Sequence, residues 1–262
     1  MKYILFILSI CIFSCSKNES LPGIRKIGHG GMGLYSDYPM NSYESLMQAL
    51  ILGADGTEMD VQMTQDSVLV LFHDAELAHK TTGSGAIHDH TWDELKDVKY
   101  DEVALGRYDL IRLDFFLEHC NSYLNKEFCF DVKTNTPDAE HLRCLNRTLS
   151  DLITKYNLQD HCTIEFQQEA QITHLISLRT DLKIYTYSDF ETSKSLISTY
   201  QLAGWVATKD DINQSRVDQI HELGSAVVGF STFNKQDHLD LIHIGVDAIE
   251  TDDVKGLLKM YK

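Results

Sequence analysis

The sequence is poor in positive charge and lacks an apolar run long enough to span a membrane as a helix. Lysine and arginine number 23 against 39 aspartate and glutamate residues, which gives a formal net charge of −16. This balance excludes nucleic acid as an expected partner and argues against electrostatic attachment to anionic lipid. Acidic residues are spread along the chain without an acidic tail, so solubility is the simplest account of their excess. Internal repeats and low-complexity tracts are also missing.

Zinc-binding cysteine patterns are absent as well. Apart from two cysteines near the N-terminus, cysteines occur at positions 120, 129, 144 and 162, and these spacings match no zinc signature. An extracytoplasmic location would permit disulfides among the four, but the sequence favours none of the possible pairings. We expect Cys129 to be a small buried residue in a strand.

The N-terminal segment resembles a secretory signal. Lys2 supplies a positive charge, residues 4–13 are almost all apolar, and small polar residues follow. An apolar run of this length is too short to cross a bilayer but fits the hydrophobic region of a signal peptide. Ile12-Phe13-Ser14-Cys15 is similar to the processing site of bacterial lipoproteins, in which an aliphatic residue stands three positions before the lipid-bearing cysteine.

These features predict three segments. Residues 1–14 are expected to be a lipoprotein-type signal peptide, residues 15–23 a linker from the lipidated Cys15, and residues 24–262 a single domain. The protein is then expected to be an extracytoplasmic lipoprotein, held at a bacterial membrane through its anchor alone. Ser16 directly after the lipidated cysteine favours the outer membrane. The alternative is that the apolar run forms a first strand of the core.

Predicted strands and helices alternate along the rest of the chain. Alternation favours a parallel sheet with helices outside it, and eight such units indicate an α/β fold of the (β/α)₈ TIM-barrel type. A short apolar segment at 204–207 would be a ninth strand, so the count is ambiguous. The eight strands are predicted at 24–29, 56–60, 68–72, 127–132, 162–166, 182–187, 225–230 and 247–250.

Residues 54–74 contain the most informative local pattern. Glu58 and Asp60 are two positions apart, so in a strand both side chains lie on one face and can share a hard divalent cation such as Ca²⁺ or Mg²⁺. A second apolar run follows a polar turn and ends in His73. If the two runs pair as a hairpin, Asp60 lies opposite position 72 or 73, and His73 lies beside both carboxylates. The alternative is an amphipathic surface hairpin with its acidic residues in water.

Polar residues stand at the ends of several predicted strands, and in a barrel such side chains gather at one mouth. Three carboxylates there can hold a divalent cation that neutralises a phosphate oxygen, while Lys133 adds a positive charge for the phosphate. His29 and His73 titrate near neutrality, so one can accept a proton from a nucleophile while the other protonates a leaving alkoxide. The whole set, typical of phosphodiester cleavage, is His29, Glu58, Asp60, His73, Asp131 and Lys133.

Three further residues have two interpretations each. Glu165 ends the fifth predicted strand, where it either faces the mouth or forms a salt bridge at the barrel edge. Trp205 and Phe230 either shape the substrate pocket or pack in the core, and core packing is favoured for both.

Several motifs resemble those of the glycerophosphodiester phosphodiesterase family. They are I-G-H-G-G at 27–31, G-A-D-G-T-E-M-D-V-Q-M-T-Q-D at 53–66, V-L-V-L-F-H-D at 68–74 and T-T-G-S-G at 81–85, with looser agreement in F-D-V-K at 130–133 and G-V-D-A-I-E-T-D at 245–252. The resemblance implies a TIM barrel that hydrolyses glycerophosphodiesters to glycerol 3-phosphate and an alcohol with a divalent cation. It also implies attack by the neighbouring glycerol hydroxyl, followed by hydrolysis of a cyclic phosphate.

The resemblance assigns roles to individual residues of this chain. His29 and His73 match the acid–base pair of the family, and Glu58 and Asp60 match two of its metal ligands. Lys133 matches its phosphate-side lysine. The substrate implied is a small phosphodiester.

The chain departs from the family pattern at three positions. Asp131 stands where the third metal ligand is usually glutamate. Gly30 stands where an arginine usually follows the first histidine, so a bidentate contact between arginine and phosphate is missing. Candidates to replace that arginine are Arg107, Arg112 and His79. Met40 replaces the glutamate of the usual Pro-Glu-Asn, which removes one carboxylate from the mouth.

Two alternatives follow from these departures. F-D-V-K-T at 130–134 and a first histidine without arginine are also similar to sphingomyelinase D-like phospholipases, which release a cyclic phosphate from a choline lipid without hydrolysing it. His73-Asp74 and T-T-G-S-G favour the hydrolase over this lyase. The second alternative is a barrel that has lost activity and only binds a phosphorylated ligand, although the retained histidines and carboxylates argue against it.

Overall fold

The computed structural model describes residues 21–101, 107–136 and 138–262. Eight parallel strands close into a barrel, which confirms the predicted fold class. The strands of the described residues are β1 (Arg25–Gly28), β2 (Gly56–Met63), β3 (Leu69–Leu71), β4 (Ile111–Arg112), β5 (Glu127–Val132), β6 (Cys162–Phe166), β7 (Lys183–Thr186), β8 (Gly204–Thr208), β9 (Ala226–Thr232) and β10 (Ala248–Thr251). The barrel order is β1-β2-β5-β6-β7-β8-β9-β10, and β10 pairs back onto β1.

Helices follow most barrel strands and cover the outside of the sheet. The helices of the described residues are α1 (Tyr43–Leu52), α2 (Trp92–Leu95), α3 (Leu113–His119), α4 (Ala139–Lys155), α5 (Glu169–Leu178), α6 (Phe190–Tyr200), α7 (Gln214–Glu222), α8 (Lys235–Ile244) and α9 (Val254–Lys259). Polar side chains begin several of them: Ser42 accepts a hydrogen bond from the Ser45 N–H at α1, and Asp138 caps α4.

The alternation in β5 shows how the barrel separates its two faces. Phe128, Phe130 and Val132 pack into the main core between the strands and the outer helices. Cys129 points the other way, into a smaller apolar cluster in the barrel interior that includes Tyr185. Successive strand residues point to opposite faces, so Asp131 and Glu127 share the interior side with Cys129.

The predicted strand count was wrong in one place. The run at 68–72 is not a barrel strand: β3 pairs antiparallel with the end of β2, and β4 pairs with β3. The segment at 204–207 is a barrel strand instead: it belongs to β8, which lies between β7 and β9. The physical reason is the length of β2, whose first six residues pair with β5 inside the barrel while its last residues extend to pair with β3.

The predicted signal peptide at 1–14 and the lipidation site Cys15 lie outside the described residues. Within the described ranges, none of the helices has the length and apolar character needed to cross a membrane. The four cysteines of those ranges, at 120, 129, 144 and 162, are free thiols, and Cys129 is buried in its strand as expected.

Candidate active site

Three carboxylates meet at the C-terminal end of the barrel, and we call Glu58, Asp60 and Asp131 the mouth cluster. One oxygen from each lies within 4.8 Å of the others, and all three side chains are buried. The register of β2 on β5 causes this, because Asp60 pairs directly with Asp131 while Glu58 pairs with Cys129. The three predicted metal ligands are therefore brought together by one pair of strands.

The predicted hairpin brings His73 to the same mouth. Val61 of β2 pairs with Leu71 of β3, and the Phe72 N–H donates to the Asp60 carbonyl at 3.0 Å. Residue 72 is therefore opposite Asp60, and His73 is the next residue along the chain. The alternative of a surface hairpin is wrong, since all eight residues of β2 are buried.

Lys133 joins two members of the mouth cluster. Its Nζ lies 2.7 Å from Asp60 Oδ1 and 2.5 Å from Asp131 Oδ2. Burial disfavours the ammonium, but the charges of Asp60 and Asp131 outweigh burial and raise the pKa of Lys133. Burial likewise opposes ionisation of Asp60, but Lys133 and His73 hold the pKa of Asp60 below its usual value. The lysine is therefore a fixed positive charge at the mouth.

The mouth cluster fits a hard divalent cation. Burial and the charge of Asp60 raise the pKa of Glu58 well above its usual value, although the charges of His29 and Lys133 act in the opposite direction. The Gly30 N–H donates to Glu58 Oε2 at 2.7 Å and orients that carboxylate. Carboxylate oxygens are the ligands that Ca²⁺ and Mg²⁺ prefer, so the donor set and its charge both suit such an ion.

Both histidines are oriented by an aspartate. His29 Nδ1 lies 3.0 Å from Asp252 Oδ1, and His73 Nδ1 lies 2.7 Å from Asp74 Oδ1. Each contact leaves Nε2 as the ring nitrogen available to a substrate. Burial disfavours the imidazolium of His29, but the hydrogen bond with Asp252 and the charge of Glu58 outweigh it and raise the pKa of His29 to about 9.

Sequence reasoning missed Asp252, although it closes the motif at 245–252. The parallel pairing of β1 with β10 sets Gly28 beside Thr251, so the residues that follow, His29 and Asp252, are neighbours. Asp252 Oδ1 also accepts a hydrogen bond from the Leu34 N–H at 3.0 Å and so holds the loop after β1 in place. The position of Asp252, just after the last predicted strand, could have identified it as a mouth residue.

We expect Asp252→Asn to lower kcat by roughly 10²-fold, because an amide neither stabilises the imidazolium nor fixes the ring tautomer as a carboxylate does. The pKa of His29 in the metal-free protein should fall from about 9, because the hydrogen bond with Asp252 is the largest favourable effect on it. Titration of the imidazole by NMR measures this shift. Asp253→Asn is the matched control, since Asp253 caps α9 through the Gly256 N–H. An unchanged pKa in Asp252→Asn would rule out the positioning role.

Asn41 was a second residue that sequence reasoning missed. Its Nδ2 donates to Asp60 Oδ2 at 2.6 Å, and the Asp60 N–H donates back to Asn41 Oδ1 at 3.0 Å. Asn41 adopts a left-handed backbone with φ of 65°, a conformation that asparagine tolerates better than most residues. The asparagine of Pro39-Met40-Asn41 therefore holds one metal-ligand candidate in place through two hydrogen bonds.

Two of the departures from the family pattern are coupled in space. Gly30 has φ of +52°, and a Cβ built on it would lie 2.6 Å from Met40 Cε and 2.7 Å from Met40 Cβ. With this loop path, a side chain larger than hydrogen is excluded at position 30. A side chain at position 30 would therefore have to displace residue 40.

Gly30→Ala should destabilise the protein more than Gly224→Ala does. Both glycines have positive φ, but a Cβ on Gly224 meets nothing within 4 Å. Gly224→Ala therefore measures only the backbone cost of about 1–2 kcal/mol for a left-handed L-residue, while Gly30→Ala adds the clash with Met40. Thermal denaturation of the two variants compares them. Equal losses of stability would contradict the coupling of positions 30 and 40.

Of the three candidates to replace the missing arginine, His79 lies nearest the mouth. Arg107 is exposed, and Arg112 pairs with Asp114 at 2.9 Å and stacks over Trp92. His79 Nδ1 lies 3.7 Å from Asp74 Oδ2. It lines a polar recess of about 380 Å³ together with His73, Asp74, Lys133 and Asn135.

A second, mostly apolar cavity of about 300 Å³ lies on the other side of His73. Met40, Phe72 and Tyr100 contribute much of its lining, and His29 reaches into it. The two histidines thus border a mouth with one polar and one apolar compartment.

The structure also places the three residues that had two interpretations each. Trp205 is buried in the core, as favoured. Phe230 packs on the inner apolar cluster, but its ring also lies 5.9 Å from the ring of His29, so it shapes the mouth. Glu165 is buried in the barrel interior and, among the described residues, forms no salt bridge.

Comparison with known proteins identifies the family of the chain. The model of the glycerophosphoryl diester phosphodiesterase family matches residues 32–255. A glycerophosphodiester phosphodiesterase of Caldanaerobacter subterraneus is 24% identical over 234 residues, which cover 86% of this chain and 93% of that protein. One from Bacillus subtilis is 24% identical over 285 residues, covering 95% of this chain and 93% of that protein.

Solved structures share the fold. A phosphodiesterase of Oleispira antarctica, whose structure was solved in complex with the product sn-glycerol-3-phosphate, superposes with a TM-score of 0.80 at 19% identity, covering 92% of this chain and 96% of that one. A glycerophosphodiester phosphodiesterase of Parabacteroides distasonis superposes with a TM-score of 0.78 at 23% identity, covering 91% and 97%. Because the family model matches residues 32–255, well over half of the chain, the chain belongs to the glycerophosphoryl diester phosphodiesterase family.

Proposed function

We propose that this protein hydrolyses glycerophosphodiesters to glycerol 3-phosphate and an alcohol, with Ca²⁺ or Mg²⁺ as its cation. One observation carries the proposal: two imidazoles, each held through Nδ1 by an aspartate, border the same mouth as three buried carboxylates and a lysine. The names of the relatives and the product bound to the Oleispira enzyme support the substrate class.

The two histidines are placed to move two protons in a ring-closing step. One imidazole accepts the proton of the glycerol hydroxyl beside the phosphate as the hydroxyl oxygen attacks phosphorus. The other donates a proton to the alcohol oxygen as its bond to phosphorus breaks. The alcohol leaves, and a cyclic phosphate remains. His29 and His73 can each serve in either role, since both present Nε2.

In the second half-reaction the roles reverse. The imidazole that gave up its proton now accepts one from water, whose oxygen attacks phosphorus. The imidazole that gained a proton returns it to the ring oxygen that leaves, and glycerol 3-phosphate forms. The enzyme thus regains its starting protonation state.

The remaining residues bind and neutralise the phosphate. Glu58, Asp60 and Asp131 would hold a divalent cation, which would neutralise negative charge on the phosphate. Lys133 adds a charge that its two aspartates keep in place. The polar recess beside Lys133 and His79 suits the glycerol phosphate, and the apolar cavity suits the departing alcohol.

A ³¹P NMR experiment tests the proposal. The full chain is incubated with glycerophosphocholine and, separately, with lysophosphatidylcholine, each with Ca²⁺ or Mg²⁺ and then with EDTA. Glycerol 3-phosphate that forms only with the cation supports the hydrolase. A cyclic phosphate that accumulates from the lysolipid would assign the protein to the sphingomyelinase D-like lyases instead. Cation binding without turnover of either substrate would indicate a binding protein.

We also propose that the mature protein is an extracytoplasmic lipoprotein anchored through Cys15, with the outer membrane favoured. The support is the sequence alone: a short apolar run, then Ile12-Phe13-Ser14-Cys15.

Lipid labelling checks the anchor. In a bacterial host fed a tagged fatty acid, we expect label on the wild-type chain and none on Cys15→Ala, because the thiol is the site of attachment. Cys11→Ala is the matched control, since Cys11 lies inside the apolar run and should leave labelling intact. Label that persists on Cys15→Ala would exclude this anchor.

A further inference from the structure

A second group of ligand-type side chains lies in the barrel interior, and we call Cys129, Glu165 and Glu250 the inner cluster. They come from β5, β6 and β10, and one ligand atom from each lies within 4.8 Å of the others. Their exposed fractions are 3%, 3% and 2%. Cys129 pairs with Glu58 across β2 and β5, and Glu165 pairs with Asp131 across β5 and β6, so the inner cluster lies directly beside the mouth cluster.

The inner cluster contains an unpartnered buried atom. Glu250 Oε1 has no hydrogen-bond partner in the part of the chain that the structure describes. Neither Glu165 nor Glu250 forms an ion pair within those residues. The Glu250 side chain is hydrogen-bonded to Glu165, which leaves Oε1 as its unpartnered oxygen. A buried polar atom without a partner is costly, and native proteins rarely keep one without a ligand or a proton.

The charges nearby do not compensate these two glutamates. Among the described residues, Lys133 forms the ion pairs of the mouth cluster, and His29 lies close to that cluster. A cation at the mouth would be held by the three carboxylates there. The charges of Glu165 and Glu250 would remain without a counter-ion, since two carboxylates and a thiol face each other.

We propose that the inner cluster is a second cation site, which adjoins the mouth cluster but has its own three ligands and takes a thiophilic divalent ion such as Zn²⁺ or Co²⁺. The thiol determines this preference: Ca²⁺ and Mg²⁺ favour oxygen alone, whereas Zn²⁺ and Co²⁺ accept sulfur with carboxylate oxygen. The ion neutralises the two glutamates and gives Glu250 Oε1 a partner. It joins three strands across the barrel interior and therefore stabilises the closed barrel.

Protons are the competing occupants. Burial and the charge of Glu58 raise the pKa of Glu250 to about 8, and burial raises the pKa of the Cys129 thiol. A thiophilic ion must therefore displace protons at this site. In the competing state, the Glu165 and Glu250 carboxyl groups are neutral, and the thiol binds no metal.

Cobalt spectroscopy distinguishes these occupants. The full chain is saturated with Ca²⁺ to fill the mouth and then titrated with Co²⁺. We expect a thiolate-to-cobalt charge-transfer absorption that saturates at one ion per chain and disappears in Cys129→Ser. Cys162→Ser is the matched control, since Cys162 is also buried in a barrel strand but faces the outer core. It should keep the absorption unchanged.

A second variant guards against misfolding. Glu250→Gln keeps the thiol and the shape of the side chain but removes one ligand charge, so Co²⁺ affinity should fall at least tenfold while the circular dichroism spectrum stays native. Wild-type chain without a thiolate band, or Cys129→Ser with the band retained, would overturn the proposal. These readouts need no turnover, so their failure is distinguishable from failure of the proposed hydrolase.

Discussion

Replacing His29 by alanine should lower kcat for glycerophosphocholine by about 10²–10⁴-fold, the usual contribution of a positioned acid–base group. The imidazole borders the mouth, its Nδ1 is held by Asp252, and its Nε2 is left for the substrate. Alanine removes the proton carrier without touching the mouth cluster. Cation affinity, measured by calorimetry with Ca²⁺, should therefore stay close to that of the wild type.

Two further variants sharpen this prediction. His73→Ala should cause a loss of similar size, and the double variant should lose little more, because residues that act as one unit are not additive. His243→Ala is the control, since His243 is exposed on α8, away from the mouth. Full activity in His29→Ala would show that the imidazole takes no part in the reaction. Loss of cation binding in the same variant would show that His29 is a metal ligand instead.

The parts of the site that could be predicted from sequence are those set by local pattern. Glu58 and Asp60 share a face because a strand has a period of two, and His73 joins them because a short turn fixes the hairpin register. The observed register places Phe72 opposite Asp60, within the range expected. Asp131 and Lys133 follow from the same alternation in β5.

The parts that could not be predicted depend on closure of the barrel. His29 and Asp252 are separated by 223 positions, and they meet only because the last strand pairs with the first. The Glu165–Glu250 contact also crosses the barrel interior. No local pattern encodes such pairs, since they depend on which strands face each other. The strand count failed for a related reason: the sequence does not show where β2 leaves the barrel.

Replacing Asp60 by asparagine should abolish activity to the level seen in EDTA. Asp60 is buried at the centre of the mouth, where one oxygen contacts Lys133 at 2.7 Å and the other accepts from Asn41. The amide keeps the shape but removes the negative charge, so the mouth cluster loses a ligand that a hard cation requires. Lys133 would then pair with Asp131 alone and neutralise a second ligand.

Calorimetric titration with Ca²⁺ measures this effect. We expect no detectable binding by Asp60→Asn at concentrations that saturate the wild type, and ³¹P NMR should show no glycerol 3-phosphate. Asp237→Asn is the matched control, because Asp237 is also a buried aspartate paired with a lysine, Lys209, at 3.1 Å. That variant should bind Ca²⁺ and turn over substrate as the wild type does. If Asp60→Asn keeps wild-type Ca²⁺ affinity, Asp60 is not a ligand, and the cation must bind through other oxygens of the mouth.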